Sequence, residues 1–198
     1  MKTPKSWADV TIAQYYNLTE AISMDWETDT DKAIAMLSAL SGISIKALNE
    51  DVSVEDLKKA IKNIVFIGEG KPKGTPRPYL KVGKRRFEVD LILRESAASS
   101  FISLSELSKE NANLNIHSIM AVFCYEKNWI GFRKKKTASS EKEIAEYFKA
   151  NMTMDKAFIY SGFFLRSFQA LFKAMLGYSE LKNREAMKML KKEIALNS

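Results

Sequence analysis

Two side chains suited to nucleophilic or acid–base work, His117 and Cys124, each occur once in this chain. A Ser-His-Asp or Cys-His arrangement would have to use that one imidazole. Both residues fall in an apolar stretch that reads as a single helix, where seven positions amount to about two turns and roughly 10 Å. They share a face, at a separation too long for the direct hydrogen bond that a catalytic pair needs. His117 is therefore expected to be a packed, non-catalytic residue. One Cys builds no disulfide framework and fits a reducing compartment, and one His with one Cys makes no zinc site. Gly68-Glu69-Gly70-Lys71-Pro72-Lys73-Gly74-Thr75 has the composition of a phosphate loop without its order, because no Gly-Lys-Ser/Thr precedes a helix and a strand follows instead. Acidic pairs at Asp29/Asp31, Glu50/Asp51 and Glu55/Asp56 fall at helix starts, where carboxylates favour the helix dipole, and their spacing is not that of a calcium loop. The expectation is a protein with no catalytic residues, no cofactor and no metal, and not an enzyme.

What remains is charge. The chain has 198 residues, 31 Lys+Arg against 24 Asp+Glu, and a net charge of +7. Seven basic residues (Lys71, Lys73, Arg77, Lys81, Lys84, Arg85, Arg86) and no acid lie between Gly70 and Arg86, so the other 181 residues sum to zero. Such a stretch can meet phosphates, with Tyr79 available for stacking, or an acidic patch on a protein. No RNP, helix-turn-helix or zinc-finger signature accompanies it. A protein partner is the first expectation and a nucleic-acid-binding module using 71–86 is the alternative. A second candidate surface is the aromatic stretch containing Phe163, Phe164 and Phe168. Apolar groups there point to adjacent faces of one helix, a pattern suited to the middle of a bundle or to an oligomer interface.

These residues must be held by ordinary elements. Pro72, Pro76 and Pro78 exclude a helix over the first part of the basic stretch. The alternation from Tyr79 to Val89 around Gly83-Lys84 reads as a β-hairpin. Its register sets Val82 opposite Arg85 and Leu80 opposite Phe87, with Leu80, Val82, Phe87 and Val89 on one face and Lys81 opposite Arg86 on the other. Like charges directly opposite are mildly unfavourable.

The rest reads as helices. Thr11 and Gln14 form a capping box for a helix ending near Ser23. Asp29 to Leu40 follows, with Gly42 as terminator, then a short turn at Ser44 to Leu48. Ser53 caps a helix carrying Leu57, Ala60, Ile61 and Ile64 on one stripe, and Val65-Phe66-Ile67 either extends it or begins a strand. After the hairpin come a stripe of Phe101, Leu104 and Leu107, a helix capped by Asn113 or Asn115, and a basic cluster, Arg133-Lys134-Lys135-Lys136, read as a mobile loop before a capping box at Ser140-Glu141-Lys142-Glu143. Met154 to Leu176 is apolar nearly all round, and Ser179 to Leu196 closes the chain. The expected fold is mainly α: a helical domain with one inserted β-hairpin and a long hydrophobic C-terminal helix. It forms a single domain over 1–198, made of N-terminal helices 1–67, the basic loop and hairpin 68–90, and C-terminal helices 91–198.

The longest uncharged run, Asn111 to Tyr125, is 15 residues and contains three Asn and a His, short of the roughly 20 apolar residues of a membrane span. No signal peptide is visible behind Met1-Lys2-Thr3-Pro4-Lys5. The expected setting is a cytoplasm, without membrane contact.

Several segments, in order, resemble small tail-assembly and virion morphogenesis proteins of tailed bacteriophages. They are the opening Trp7-Ala8-Asp9-Val10-Thr11-Ile12-Ala13-Gln14-Tyr15-Tyr16-Asn17-Leu18, the step Leu37-Ser38-Ala39-Leu40-Ser41-Gly42-Ile43, Asn63-Ile64-Val65-Phe66, the hairpin end Phe87-Glu88-Val89-Asp90, Ile116-His117-Ser118-Ile119-Met120-Ala121-Val122, and the late Phe163-Phe164. The resemblance implies a non-enzymatic structural or assembly protein of the tail, baseplate or head-to-tail connector, or a tail assembly chaperone. It would act through contacts with other phage structural proteins, in the host cytoplasm during assembly or in the virion, either as a subunit or as a homo-oligomer. The resemblance assigns no individual residue a role.

Overall fold

Thr11 ends an extended entry and opens the first helix, α1 (Ile12–Ser23). Its side chain accepts from the Gln14 N–H, and the Gln14 side chain accepts from the Thr11 N–H at 2.9 Å, so the expected capping box forms and satisfies two end donors. α1 buries Ile12, Tyr15, Leu18 and Ala21, a stripe with helical period. This computed structural model describes residues 3–93, 102–107, 113–128 and 130–174.

α2 (Asp29–Ser41) is capped by Thr28 and ends on Gly42 at φ 74°, the left-handed position a helix terminator needs. α3 (Ile45–Glu50) and α4 (Val54–Asn63) are capped by Ser44 and Ser53. Val65–Ile67 forms a 3-10 turn, neither helix extension nor strand. Trp7 stands at the centre of this half, its ring edge-to-face with Phe66 and Phe158 at 5.2 Å and with Tyr15 at 6.0 Å.

The hairpin has the expected register: β1 (Tyr79–Val82) and β2 (Arg85–Val89) pair with Val82 opposite Arg85, Leu80 opposite Phe87 and Lys81 opposite Arg86. It is not alone. Cys124–Glu126 is a third strand, β3, antiparallel to β2. The helix expected to run past Cys124 is α6 (Ile116–Phe123), which follows a short helical stretch over 102–107 (α5, with Leu104 buried). Cys124 is extended at φ −109°, ψ 134°, because β2 offers ladder partners: Asp90 N–H donates to Phe123 O at 3.0 Å and Lys127 N–H to Arg86 O at 2.9 Å. Cys124 therefore stands on a strand rather than two helical turns from His117. Asn115 flanks α6 without capping it. Its amide donates to Leu107 O at 3.2 Å instead.

α7 (Ala138–Asn151) packs on α1 and α6. Its capping box is Thr137 with Ser140, three residues before the expected one, since the Thr137 hydroxyl is placed to take the Ser140 N–H. After it, Ile12 N–H donates to Met152 O at 3.0 Å and Met154 N–H to Val10 O at 2.7 Å, fastening the chain's beginning beside the start of a helix over 154–174, α8. The fold is mainly α with one small antiparallel sheet.

The chain divides into two compact units, 1–161 and 162–198. Everything above, with the first turns of α8, belongs to the first. In the second, 162–174 is helical, with the Phe163 and Phe164 rings 5.5 Å apart and Phe168 stacked on Phe172 at 6.2 Å. Phe164 is buried, Phe163 and Phe168 half-buried, and Leu171 and Phe172 exposed. Leu176, the expected helix at Ser179 to Leu196, and Phe101 lie outside the described residues.

Candidate docking face

Alternation along the hairpin sends Leu80, Val82, Phe87 and Val89 inward, where all four are buried, and leaves Tyr79, Lys81 and Arg86 exposed on the other side. The hairpin turn is held from beneath. Gly83 has φ +52°, and a Cβ there would meet Tyr147 Oη at 2.6 Å. The Tyr147 hydroxyl accepts from Lys84 N–H at 3.3 Å and donates to Val82 O at 3.0 Å.

The seven cations of the basic stretch do not form one patch. Arg85 points to α7, pairing with Glu143 at 2.8 Å and Glu126 at 3.8 Å and covering the Tyr147 ring at 4.3 Å. The Glu143 hydrogen bond holds it charged, so its charge is compensated within the chain. Lys71 lies over the Phe158 ring at 5.0 Å and donates to Asn113. Arg77 is anchored through its backbone, its N–H donating to Tyr160 Oη and its carbonyl accepting from the same hydroxyl, both at 3.1 Å. Lys73 and the Arg77 side chain are exposed. Only Lys81, Lys84 and Arg86 remain together on the sheet.

The expected mobile loop at Arg133 to Lys136 is instead the return arm of a second hairpin. Lys127 bridges to Arg133, and Lys134 N–H donates to Glu126 O at 2.8 Å. Glu88 is clamped by Arg133 at 2.7 Å and Lys127 at 3.2 Å, and the Arg133 hydrogen bond holds its carboxyl below the usual range. Arg133 covers Tyr125 and Lys127 covers Tyr79, each at 4.8 Å. Lys134 pairs with Glu126 at 2.9 Å. Lys136 turns inward, where its ammonium donates to the Ala121 and Val122 carbonyls at the end of α6, the helix end that favours a cation. Burial lowers its pKa.

Two adjoining hollows share Arg86 and Lys127: one of about 500 Å³ between Lys84, Arg86 and Lys134, the other of about 380 Å³ between Tyr79, Lys81 and Ile130. Ile130 and Phe132 on the second hairpin are 60% and 69% exposed, and Tyr79 is 63% exposed. The face thus offers cations beside apolar contact area. The second hairpin is missing from the sequence-derived set. Its signal was the alternation around Asn128 and Gly131, masked by the apolar run that precedes it.

His117 is occupied. The Tyr16 hydroxyl lies 2.7 Å from its Nδ1 and accepts from the His117 N–H at 3.4 Å. Burial pushes Tyr16 up to about 12 and lowers His117, with Lys149 lowering it further and Glu146 opposing. Cys124 is wholly buried and its thiol is pushed up to about 12 by burial, which leaves no thiolate. Among the described residues, no cluster of three His, Cys, Asp or Glu could hold a metal ion and no helix is long and apolar enough to cross a membrane.

The His117 shift has a sign that can be checked. The unfolded chain takes up the imidazole proton near pH 6.5 while the folded chain does not, so stability is full above that pH and falls as pH drops through it toward the lowered folded pKa. Urea midpoints measured above and below that pH are expected to fall on acidification less steeply in His117→Gln than in the native chain. Equal slopes would mean that His117 titrates alike in both states.

No protein-family model matches the chain, and no curated protein or solved structure is similar to it at a meaningful level.

Proposed function

We propose that this chain is a non-enzymatic docking protein that captures an acidic surface of another protein on the outer face of its sheet. The setting we propose is the assembly of a tailed-phage particle. The observation that carries docking is the pairing of Lys81 with Arg86. Both are exposed on the outward face, directly opposite one another, and neither has an acidic partner among the described residues, whereas Arg85, Lys127, Arg133 and Lys134 are each neutralised by Glu143, Glu88 or Glu126. Two like charges facing each other cost stability in the free chain, and an incoming carboxylate would remove that cost. The phage setting rests on the sequence resemblance alone.

The triple change Lys81→Glu, Lys84→Glu and Arg86→Glu is expected to abolish binding of a fluorescent poly-glutamate peptide while the melting temperature stays within a few degrees, because exposed side chains away from caps contribute little to stability. Arg85 is left in place because its ion pairs are internal. Undiminished peptide binding by the triple variant would remove the docking face. For the setting, mass spectrometry of purified particles separates a structural subunit, present at defined copy number, from an assembly chaperone, absent from them. Tighter binding of a single-stranded oligonucleotide, with a steep loss as salt rises, favours the nucleic-acid alternative.

A further inference from the structure

We infer that the partner seated on this face is a second copy of the chain, held by its acidic α1–α2 connection, so that copies join head to tail. The inference rests on the docking reading above and names its occupant.

The occupant is identified by charge. From Glu20 to Asp31 the chain carries Glu20, Asp25, Glu27, Asp29 and Asp31 and no Lys or Arg. Glu20, Asp25, Glu27 and Asp29 are exposed, and none of the five joins an ion pair among the described residues. The Trp26 indole donates inward to Ala21 O at 2.7 Å, leaving Asp25 and Glu27 exposed on either side of it. The same segment carries Ile22 and Met24, 38% and 48% exposed. Carboxylates interspersed with apolar side chains are what a face of cations beside Tyr79, Ile130 and Phe132 can accept. A continuous phosphate chain fits less well, because Glu88 and Glu126 stand among the cations.

Within one chain the two surfaces sit toward opposite ends of α1. The hairpin turn lies against Tyr147 and Asn151 at the end of α7, next to Met152, to which the start of α1 is bonded. α1 starts there at Ile12, and the acidic segment begins at Glu20 in its last turn, about 12 Å farther along at 1.5 Å per residue. Donor and acceptor surfaces at opposite ends of one helix make a heterologous contact, which closes into a ring or propagates as an open chain.

The test uses the full chain in sedimentation velocity. At low ionic strength the native protein is expected to form species larger than a monomer that grow with concentration, and to return to monomer at high salt, where charges on separate surfaces are screened. The pair Lys84→Glu and Arg86→Glu removes one face, and the pair Asp25→Lys and Glu27→Lys removes the other. Each variant is expected to remain monomeric alone, and an equimolar mixture to stop at a one-to-one dimer, since each chain keeps one working face. A native protein that stays monomeric at low salt, or an Asp25/Glu27 variant that assembles like the native chain, overturns the inference. Poly-glutamate binding separates the two levels. A monomeric native chain that still binds the peptide loses self-docking and keeps the docking face, whereas one that binds neither loses both. Circular dichroism melting of each variant checks that it folds.

Discussion

Phe87→Ala is expected to destabilise the protein by about 3–5 kcal/mol, the range for removing a fully buried phenylalanine. Phe87 has no exposed surface, sits on the central strand between β1 and β3, and packs edge-to-face on Phe148 at 4.7 Å with Tyr147 beyond at 6.3 Å. Its ring joins the sheet to α7. Alanine would leave a cavity that a hydrogen-bonded strand and a helix cannot both close, and the aromatic pair would be lost as well. Phe132 provides the comparison: it lies on the neighbouring hairpin with 69% of its surface exposed, and Phe132→Ala should change stability by no more than about 0.5 kcal/mol. Urea unfolding of the two variants measures the difference. A Phe87→Ala cost as small as that of Phe132→Ala would mean that the sheet is not packed on α7 as described. Because folded domains are stable by only about 5–15 kcal/mol, the Phe87 variant should also lose poly-glutamate binding as the hairpin detaches, while the Phe132 variant keeps its fold.

The second large effect is at Trp7. Its ring contacts Tyr15 on α1, Phe66 in the 3-10 turn and Phe158 at the start of α8, so one side chain joins three parts of the chain. Trp7→Ala is expected to cost about 3–5 kcal/mol. Trp7→Phe separates packing from hydrogen bonding. Most of the apolar contact survives, but the indole N–H that donates to Gly70 O at 3.0 Å is gone, at a cost of about 1 kcal/mol. That bond ties down the beginning of the Pro/Gly loop. Lys71 and Arg77 precede prolines, which trypsin does not cleave, so the Lys73–Gly74 bond reports on the loop. Cleavage there should be faster in Trp7→Phe than in the native chain. An unchanged rate would assign the loop's order to Tyr160 and Arg77 alone.

Much of this was legible in the residues because it depends on short-range physics. Caps at Thr11 and Ser53, the left-handed terminator at Gly42 and the Gly83-Lys84 hairpin register all arise from groups within a few positions of one another. Where long-range partners decided, the local pattern misled. Ile116 to Tyr125 has the apolar content of one buried helix, but β2 supplied ladder hydrogen bonds that turned Cys124–Glu126 into a strand. Arg133 to Lys136 looks like a solvated loop until Glu88, Glu126 and the end of α6 are placed beside it.

The candidate face divides in the same way. Composition alone put the whole net charge between Gly70 and Arg86. Which of those cations are free was a tertiary matter. An arginine's availability depends on whether a carboxylate from a distant segment reaches it, and Glu126 and Glu143 reach Arg85 while no described acid reaches Arg86. Charge is a property of the residues, whereas its compensation depends on distances that only the folded chain sets.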